Sequence, residues 1–361
     1  MVLALRAVVY SETGGSEVFR LVERPVPSPG PGEVRVNVHV SAVNPTDWKA
    51  RRGGRSPVPL PFPEIVPNQD GAGTIDAVGD GVSESRVGER VWLWEAAWQR
   101  ADGTAQEFVV LPARQAVALP ANVSFDVGAS LGIPALTAHR CLTVSEHAPR
   151  KLAPRALRGQ TVLVAGGAGA VGHAAIQLAR WTGARVISTV SGDEKARLAR
   201  AAGAEHLVNY RNGDAREQIR ASAPDGIDVV VEVAPAANAE LDAAVLAPDG
   251  VVAVYATDRD LELDVWPLMS RNVRYQFVLV YTVTATAKDQ AVTDVTAAAA
   301  DEALPVGEEA GLPLHRYPLE RTADAHDAVE RGAVGKVLID VSNDPVPGTA
   351  KTRSSSANSR R

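Results

Sequence analysis

A glycine-rich segment, GGAGAVG at residues 166–172, carries the clearest chemical signal in the sequence. It contains the spacing G-x-G-x-x-G at Gly167, Gly169 and Gly172, directly after the apolar run TVLVA and directly before an alanine-rich stretch. Glycines let the backbone turn tightly and approach a pyrophosphate, and the free N–H groups at the start of a helix attract the anion. The segment therefore predicts a strand, a phosphate-binding loop and a helix that hold a dinucleotide.

The residues at the end of the next predicted strand, ARVISTV, indicate which of the two nicotinamide dinucleotides is bound. NAD sites place an acidic residue there, which bonds the ribose hydroxyls and repels a 2′-phosphate. Here the position falls near Val190, whereas Ser191, Lys195 and Tyr210 offer hydroxyls and a cation. We therefore expect NADPH, although Lys195 has the alternative of being an ordinary solvated helix residue beside the acidic pair at 193–194.

The pattern of apolar and polar residues changes near residue 125. Up to there, short runs with turn residues between them, such as Val34 to Val40 with every second residue apolar, predict a small β-rich barrel or sandwich. Beyond it, apolar runs alternate with helical stretches, which predicts a parallel, doubly wound sheet. The end of the chain returns to strand and helix signals, and a strand there can rejoin the first domain in space.

Composition narrows the class of protein. The 361 residues are 45% hydrophobic and 22% charged with a formal charge of −6, which is ordinary for a globular protein and argues against a nucleic-acid partner. No apolar run reaches the roughly 18–20 residues that cross a bilayer, and the start has no basic region typical of a signal peptide. No membrane association and a cytoplasmic location are therefore expected.

The single cysteine, Cys141, and seven scattered histidines predict no metal site. Residues 343–361 are polar and predict a disordered tail.

Several segments beyond the glycine loop resemble one family. They are SAVNPTDWKARRG (41–53), NQDGAGTIDAVGDGV (68–82), GTAQEFVVLP (103–112), LGIPALTAHRCL (131–142), VNYR (208–211) and AHDAVERGAVGKVLIDV (325–341). Over roughly residues 5–341 the chain resembles the medium-chain dehydrogenase/reductase superfamily, specifically its zinc-free quinone oxidoreductase (zeta-crystallin-like) branch. The resemblance implies an α/β protein with a GroES-like catalytic domain at 1–124, completed by 313–342, and a Rossmann NADPH-binding domain at 125–312.

The resemblance also implies an activity. Zinc-dependent members use a Cys and a His-Glu pair for the catalytic metal, but Asn68-Gln69-Asp70 stands where that pair would fall. A zinc-free member is expected to be an NADPH-dependent quinone oxidoreductase that transfers hydride to a quinone or similar conjugated carbonyl. An enoyl or alkenal reductase in a biosynthetic pathway is the alternative, and an RNA-binding or structural crystallin-like protein that retains NADPH binding is a second. Family members also lead us to expect a homodimer that pairs an edge strand at Arg274–Val280.

Site residues follow from the resemblance position by position. It places at the cofactor Asn44, Thr137, Gly167, Ala168, Gly169, Ala170, Val171, Gly172, Ser191, Lys195, Tyr210, Val254, Tyr255, Ala256, Thr257, Phe277, Val278, Leu279 and Lys336. The catalytic candidates are Asn44, Asp47, Lys49 and Thr137. Asn44 and Asp47 have the alternative of capping a turn or helix, and Lys49 that of a surface lysine.

Two questions concern the acceptor. Trp92 and Trp94 share one face of a predicted strand and form either an aromatic wall for a flat substrate or a core patch. Pro45 stands where some enoyl reductases place a tyrosine acid, so the sequence shows no obvious proton donor.

Overall fold

Residues 4–54 and 59–342 are described by the computed structural model, and the predicted disordered tail at 343–361 lies outside them. The first part of the chain is mostly strand. Its elements are β1 (Ala4–Val9), β2 (Arg20–Pro25), β3 (Glu33–Val43), α1 (Pro45–Arg51), β4 (Asp70–Val78), β5 (Arg90–Leu93), β6 (Phe108–Pro112) and β7 (Ala116–Ala118). Along β3, Val34, Val36, Val38 and Val40 are all buried, as the alternating pattern predicts.

The central part alternates strands with helices. Its elements are α2 (Phe125–Leu142), β8 (Thr161–Ala165), α3 (Ala170–Trp181), β9 (Arg185–Val190), α4 (Asp193–Ala201), β10 (His206–Asn209), α5 (Ala215–Ser222), β11 (Ile227–Glu232), α6 (Pro235–Val245), β12 (Leu246–Val254), α7 (Val265–Met269), β13 (Arg274–Phe277) and α8 (Ala285–Ala300). The six strands run parallel in the order β10-β9-β8-β11-β12-β13. This is the predicted doubly wound sheet, with β8 and its glycine loop at the centre.

The end of the chain returns to the first sheet. Its elements are β14 (Leu314–Pro318), α9 (Thr322–Glu330) and β15 (Lys336–Asp340). Strand β15 pairs antiparallel with β3, which gives a sheet of order β14-β15-β3-β4-β5-β7 with β6 also on β3. This pairing brings Lys336 beside the end of β3, close to the start of α1.

Helix α2 joins the two sheets. Its side chains belong to one hydrophobic core that includes Val40 and Trp92 of the first sheet and Val162 and Val229 of the second. The helix is broken at Gly132, where the backbone leaves helical geometry, and Pro134 follows within the same element. The break falls where α2 faces β4, so it bears on the site between the sheets.

Two further features of the described residues matter for partners. The edge strand β13 ends at Phe277, earlier than the predicted Arg274–Val280, because Val280–Thr282 turns into a short 3₁₀ helix. Among the described residues, no helix has the length and apolarity that a membrane span requires.

Candidate active site

The glycine loop connects β8 to α3 with a geometry that only glycine permits at several positions. Gly166 has a φ of +70°, in the left-handed region that favours glycine. A Cβ on Gly167 would lie 2.3 Å from Ser188 Oγ, and one on Gly172 would lie 2.4 Å from the Gly166 carbonyl oxygen. Gly169 is the N-cap residue of α3, so the first N–H groups of that helix lie just beyond the loop. This geometry leaves room for an anion at the start of α3, and the assignment of a pyrophosphate to the loop stays a prediction.

The three residues expected at an adenosine phosphate lie around the carboxyl end of β9. Val190 ends this strand, and its carbonyl oxygen accepts a hydrogen bond from the Tyr210 backbone N–H at 3.2 Å. Tyr210 is 52% exposed, Lys195 is exposed in the first turns of α4, and Ser191 is half-buried between β9 and α4. The three side chains could therefore surround a phosphate.

The expected nicotinamide end lies at the neighbouring strands β12 and β13. The Val278 N–H donates to the carbonyl oxygen of Val254 at 2.8 Å, so the segments 254–257 and 277–279 lie side by side. Val278 is buried, whereas Phe277 and Leu279 are exposed. Both segments follow the carboxyl ends of parallel strands, which is the edge where such folds bind ligands.

A buried polar cluster lies between the two sheets, and we call Asn44, Asp70 and Lys336 the Asn–Asp–Lys cluster. Lys336 Nζ donates to Asn44 Oδ1 at 2.7 Å, and Asn44 Nδ2 donates to Asp70 Oδ2 at 2.7 Å. Lys336 Nζ is also 3.7 Å from Asp70 Oδ2. All three residues are at most 2% exposed. The ammonium group thus lies where its charge compensates that of Asp70.

The break in α2 contributes to this cluster. Because Gly132 is not helical, the Ile133 N–H is directed to Asp70 Oδ1, at 2.9 Å. A Cβ on Gly132 would lie 2.0 Å from the same oxygen, so the close approach requires glycine. Burial raises the pKa of Asp70, and the Lys336 charge opposes that shift. Burial lowers the pKa of Lys336, and the Asp70 and Asp47 charges oppose that shift.

Asp47 lies beside the cluster in the first turn of α1. Asn44 is the N-cap residue of this helix, and Asp47 at the third helical position accepts the Asn44 N–H at 2.6 Å. The interpretation of Asp47 as the N-cap is therefore wrong by three residues. Burial raises the pKa of Asp47 to about 7, and the backbone N–H groups of Asn44 and Gln69 together with the Lys336 charge limit the shift.

Asp47 also borders a cavity of about 230 Å³ at the junction of the two halves. The side chains that define it are those of Thr46, Asp47, Phe62, Ile65, Trp98 and Tyr281. A larger depression of about 750 Å³ lies on the outer surface around α5, α6 and α7, away from both the glycine loop and the Asn–Asp–Lys cluster. The smaller cavity is the better candidate for an acceptor site because it has a titratable group, Asp47, in its wall and receives Tyr281 from the Rossmann half.

The predicted aromatic wall of Trp92 and Trp94 is wrong. These side chains are 0% and 1% exposed, since their shared strand face is turned towards α2 and α8. Trp92 Nε1 donates to Thr296 Oγ1 at 3.3 Å, and Trp94 is covered by Arg114 and Lys288. They form the core patch that was the alternative, and Trp98 is the tryptophan that lines the cavity.

The two other catalytic candidates, Lys49 and Thr137, lie in different surroundings. Lys49 is exposed, and its ammonium lies 5.7 Å from the centre of the Trp48 ring rather than in the cavity, so its placement at the reaction centre is wrong. Thr137 is buried on α2, one turn beyond Ile133, and faces the same region as the break at Gly132.

The sequence reasoning did not single out Thr46, Asp70 or Tyr281. The Tyr281 hydroxyl oxygen is 2.8 Å from Thr46 Oγ1, across 235 positions of sequence. Asp70 had one signal that was not used: it belongs to the Asn68-Gln69-Asp70 stretch, which stands where the resemblance places the zinc-binding His-Glu pair, and the structure buries it completely. Tyr281 had none, because only the packing of the two halves brings it to the cavity.

A zinc ion does not fit this donor set. In the described ranges, 4–54 and 59–342, no group of three or more His, Cys, Asp or Glu side chains is arranged to hold a metal. Cys141 is buried within α2, where burial raises the pKa of its thiol to about 12 and disfavours the thiolate that binds zinc. The cation beside Asp70 is the ammonium of Lys336 itself.

Comparisons with known proteins agree with this geometry. The model of the family described as "Alcohol dehydrogenase GroES-like domain" matches residues 30–121, and that described as "Zinc-binding dehydrogenase" matches 170–297. A quinone oxidoreductase from Rattus norvegicus is 32% identical over 93% of this chain and 97% of its own length. A solved mycobacterial structure complexed with NADPH is 32% identical, with a TM-score of 0.75 over 93% of this chain and 99% of that one. A solved NAD-dependent alcohol dehydrogenase is 30% identical, with a TM-score of 0.80 over 93% of this chain and all of that one.

The two sheets, the glycine loop and these similarities together define a nicotinamide-dependent oxidoreductase with a GroES-like and a Rossmann half. The chain belongs to the medium-chain dehydrogenase/reductase superfamily, in the branch that contains the quinone oxidoreductases. The predicted family and fold class are thereby confirmed.

Proposed function

We propose that the protein is an NADPH-dependent quinone oxidoreductase that works without zinc. The observation that carries this proposal is the Asn–Asp–Lys cluster, in which a lysine ammonium provides the positive charge beside Asp70. A zinc ion would have to share that position with a buried cation of the same sign, and Asn, Asp and Lys do not form a tetrahedral N/S donor set.

The proposed acceptor follows from this chemistry. A simple alcohol or ketone needs strong polarisation of its oxygen, which a zinc enzyme supplies by a Lewis acid. A quinone or an α,β-unsaturated carbonyl is already electron-poor, so orientation and hydrogen bonding are sufficient help. The cavity next to Asp47 offers hydroxyl groups and aromatic surface, which suit such an acceptor.

The residues present fit a nicotinamide dinucleotide, which supplies the hydride when it is bound. Gly167, Gly169 and Gly172 would hold its pyrophosphate, and the segments 254–257 and 277–279 its nicotinamide end. Ser191, Lys195 and Tyr210 favour NADPH over NADH because they surround the end of β9 with hydroxyls and a cation. The Asn–Asp–Lys cluster fixes the start of α1 and thereby positions Thr46 and Asp47 at the cavity.

We also propose a homodimer. Strand β13 is the outermost strand of its sheet and carries the exposed Phe277, and nearby α7 exposes Trp266 and Met269. Pairing β13 with its copy would cover an open strand edge together with this apolar surface. Light scattering on the purified protein measures the mass directly.

The experiment that tests the function is the loss of NADPH absorbance with a panel of acceptors. We expect turnover of para-benzoquinone and naphthoquinone with NADPH and much slower turnover with NADH. Activity confined to an enal or a cyclic enone would instead assign an enoyl or alkenal reductase. No turnover of any acceptor, despite tight NADPH binding, would contradict the proposal.

A further inference from the structure

A tyrosine from the Rossmann half faces the cavity opposite α1. Tyr281 lies in the 3₁₀ turn after β13, two residues beyond the segment 277–279 that is proposed to meet the nicotinamide. Its hydroxyl oxygen is 2.8 Å from Thr46 Oγ1, and Thr46 is two residues beyond Asn44. The two hydroxyls therefore meet in the wall of the acceptor cavity, close in sequence to the segment proposed for the nicotinamide.

The surroundings of Tyr281 hold its ring in one orientation. Its ring stacks on that of Trp98, with centroids 4.5 Å apart and planes at 22°. Its carbonyl oxygen accepts a hydrogen bond from Lys288 Nζ at 2.8 Å, and the same ammonium is paired with Glu95 at 2.7 Å. Tyr281, Lys288 and Glu95 are all buried. A side chain supported from several directions meets the requirement for a preorganised donor.

The ionisation state of Tyr281 suits a donor. Burial raises the pKa of its hydroxyl well above the ordinary value, and the neighbouring Asp47 charge acts in the same direction. At neutral pH the hydroxyl therefore carries its proton. Thr46 is able to donate or accept, so it has a proton for the acceptor oxygen or a lone pair for Tyr281.

We propose that Tyr281 is the proton donor of the reaction and that the Tyr281 and Thr46 hydroxyls together bind the carbonyl oxygen of a small one- or two-ring acceptor. This inference rests on the proposed function. Some enoyl reductases have a tyrosine acid at the position of Pro45. Tyr281 would take over that role here, from the opposite wall of the cavity. A bound reduced nicotinamide would supply the hydride by loss of a ring C–H bond and would itself be oxidised. The acceptor gains this hydride, and an electron pair moves onto its carbonyl oxygen. That oxygen takes the Tyr281 proton as the tyrosine O–H bond breaks, and the phenolate regains a proton from water.

The size of the acceptor follows from the cavity. Its volume of about 230 Å³ lies below the roughly 300–1,000 Å³ typical of sites for drug-sized ligands. We therefore expect para-benzoquinone and naphthoquinone to have a higher kcat/KM than the three-ring phenanthrenequinone. A preference for phenanthrenequinone would overturn the size assignment.

The test compares Tyr281→Phe, which removes only the hydroxyl, with Thr46→Val and with the control Tyr317→Phe on β14. Removal of a general acid predicts a fall in kcat of roughly 100-fold for Tyr281→Phe, with NADPH affinity unchanged. The wild type should show a solvent deuterium isotope effect on kcat. Thr46→Val should lose less, because Tyr281 keeps its proton, and Tyr317→Phe should match the wild type.

Three results would overturn the assignment of Tyr281. One is a wild-type kcat in Tyr281→Phe. The second is an equal fall in Tyr281→Phe and Thr46→Val, because a hydroxyl pair that merely joins the two halves is lost equally in both. The third concerns binding: with NADP⁺ present, wild type should bind para-nitrophenol, a product-like phenol, roughly tenfold or more tightly than Tyr281→Phe, and equal affinities would contradict the proposal.

The same binding measurement separates this inference from the proposed function. If the wild type reduces no acceptor but binds para-nitrophenol through Tyr281, the proposed function fails while the hydroxyl pair stands as a carbonyl or phenol site. If the wild type reduces quinones and Tyr281→Phe does so equally well, the proposed function stands and Tyr281 is not the donor.

Discussion

The phosphate end of the cofactor cleft and its reaction end are built in opposite ways. At the phosphate end, the proposed binding groups are backbone N–H groups and exposed side chains, notably Lys195 and Tyr210. At the reaction end, the charges of Asp70 and Lys336 are withdrawn from water and satisfied by each other and by Asn44. Exposed charges are screened by salt and act weakly on folding, whereas buried charges act strongly on it. The two ends should therefore respond differently to substitution.

The largest expected effect is at the reaction end. Asp70→Asn leaves the Lys336 ammonium buried without its carboxylate, and breaking such a pair costs about 3–5 kcal/mol in the free energy of unfolding. The control is Asp76→Asn, whose carboxylate pairs with Arg35 at 2.9 Å and is 31% exposed, so the loss should stay within about 1 kcal/mol. Urea unfolding measures both, and equal losses would remove the distinction between the two ends.

Asp47 gives the reaction end a dependence on pH. Its pKa is raised to about 7 in the folded protein, above that of an unfolded aspartate, so the folded state holds this proton more tightly. Stability contributed in this way is greatest at low pH and is lost as the pH rises to about 7, by about 4 kcal/mol at most. Relative to Asp47→Asn, the wild type should therefore become less stable between about pH 4 and pH 7, with little further change at higher pH. A constant difference in unfolding free energy over that range would contradict the burial of this charge.

The glycine loop tests the phosphate end. A Cβ at position 172 would lie 2.4 Å from a backbone oxygen of the loop, so Gly172→Ala must shift the loop at a cost of about 1–3 kcal/mol. NADPH affinity, measured by calorimetry, should fall about tenfold or more. Gly30→Ala is the matched control, since its Cβ would meet only the flexible Glu33 side chain, at 3.2 Å. If both variants bind NADPH like the wild type, the loop is not the pyrophosphate site.

The smallest effect concerns cofactor choice. Lys195→Ala should weaken NADPH binding by roughly tenfold or less at low salt, leave NADH binding unchanged, and barely change the urea midpoint, because the ammonium is exposed. The NADPH effect should shrink as salt is added. Equal weakening of both cofactors would mean that Lys195 does not contact the 2′-phosphate.

The two ends also differ in how far the sequence could predict them. The glycine loop depends on residues within one short segment and on the strand and helix beside it, so its spacing was informative. The alternation of strands and helices predicted that this sheet is parallel and doubly wound, but not the order of its strands. The shorter β13 did not, because the turn at Val280–Thr282 depends on packing against the first half of the molecule.

The reaction end is assembled from distant segments, and the sequence reasoning was correspondingly weaker there. Lys336 reaches Asn44 across 292 positions only because β15 pairs with β3. The prediction that Trp92 and Trp94 line the substrate site was wrong. Their spacing of two residues shows that they share one face of a strand, but it does not show whether that face is covered by the core. Asp70 was passed over because its partners come from α1, α2 and β15.

The most direct test of the account is NADPH-dependent reduction of para-benzoquinone by protein dialysed against a zinc chelator, compared with undialysed protein. If the Lys336 ammonium provides the positive charge of the site, the rate should be the same before and after dialysis, and adding zinc back should not increase it. Loss of activity on dialysis, with recovery on addition of zinc, would contradict the assignment of Lys336 as the cation of the site.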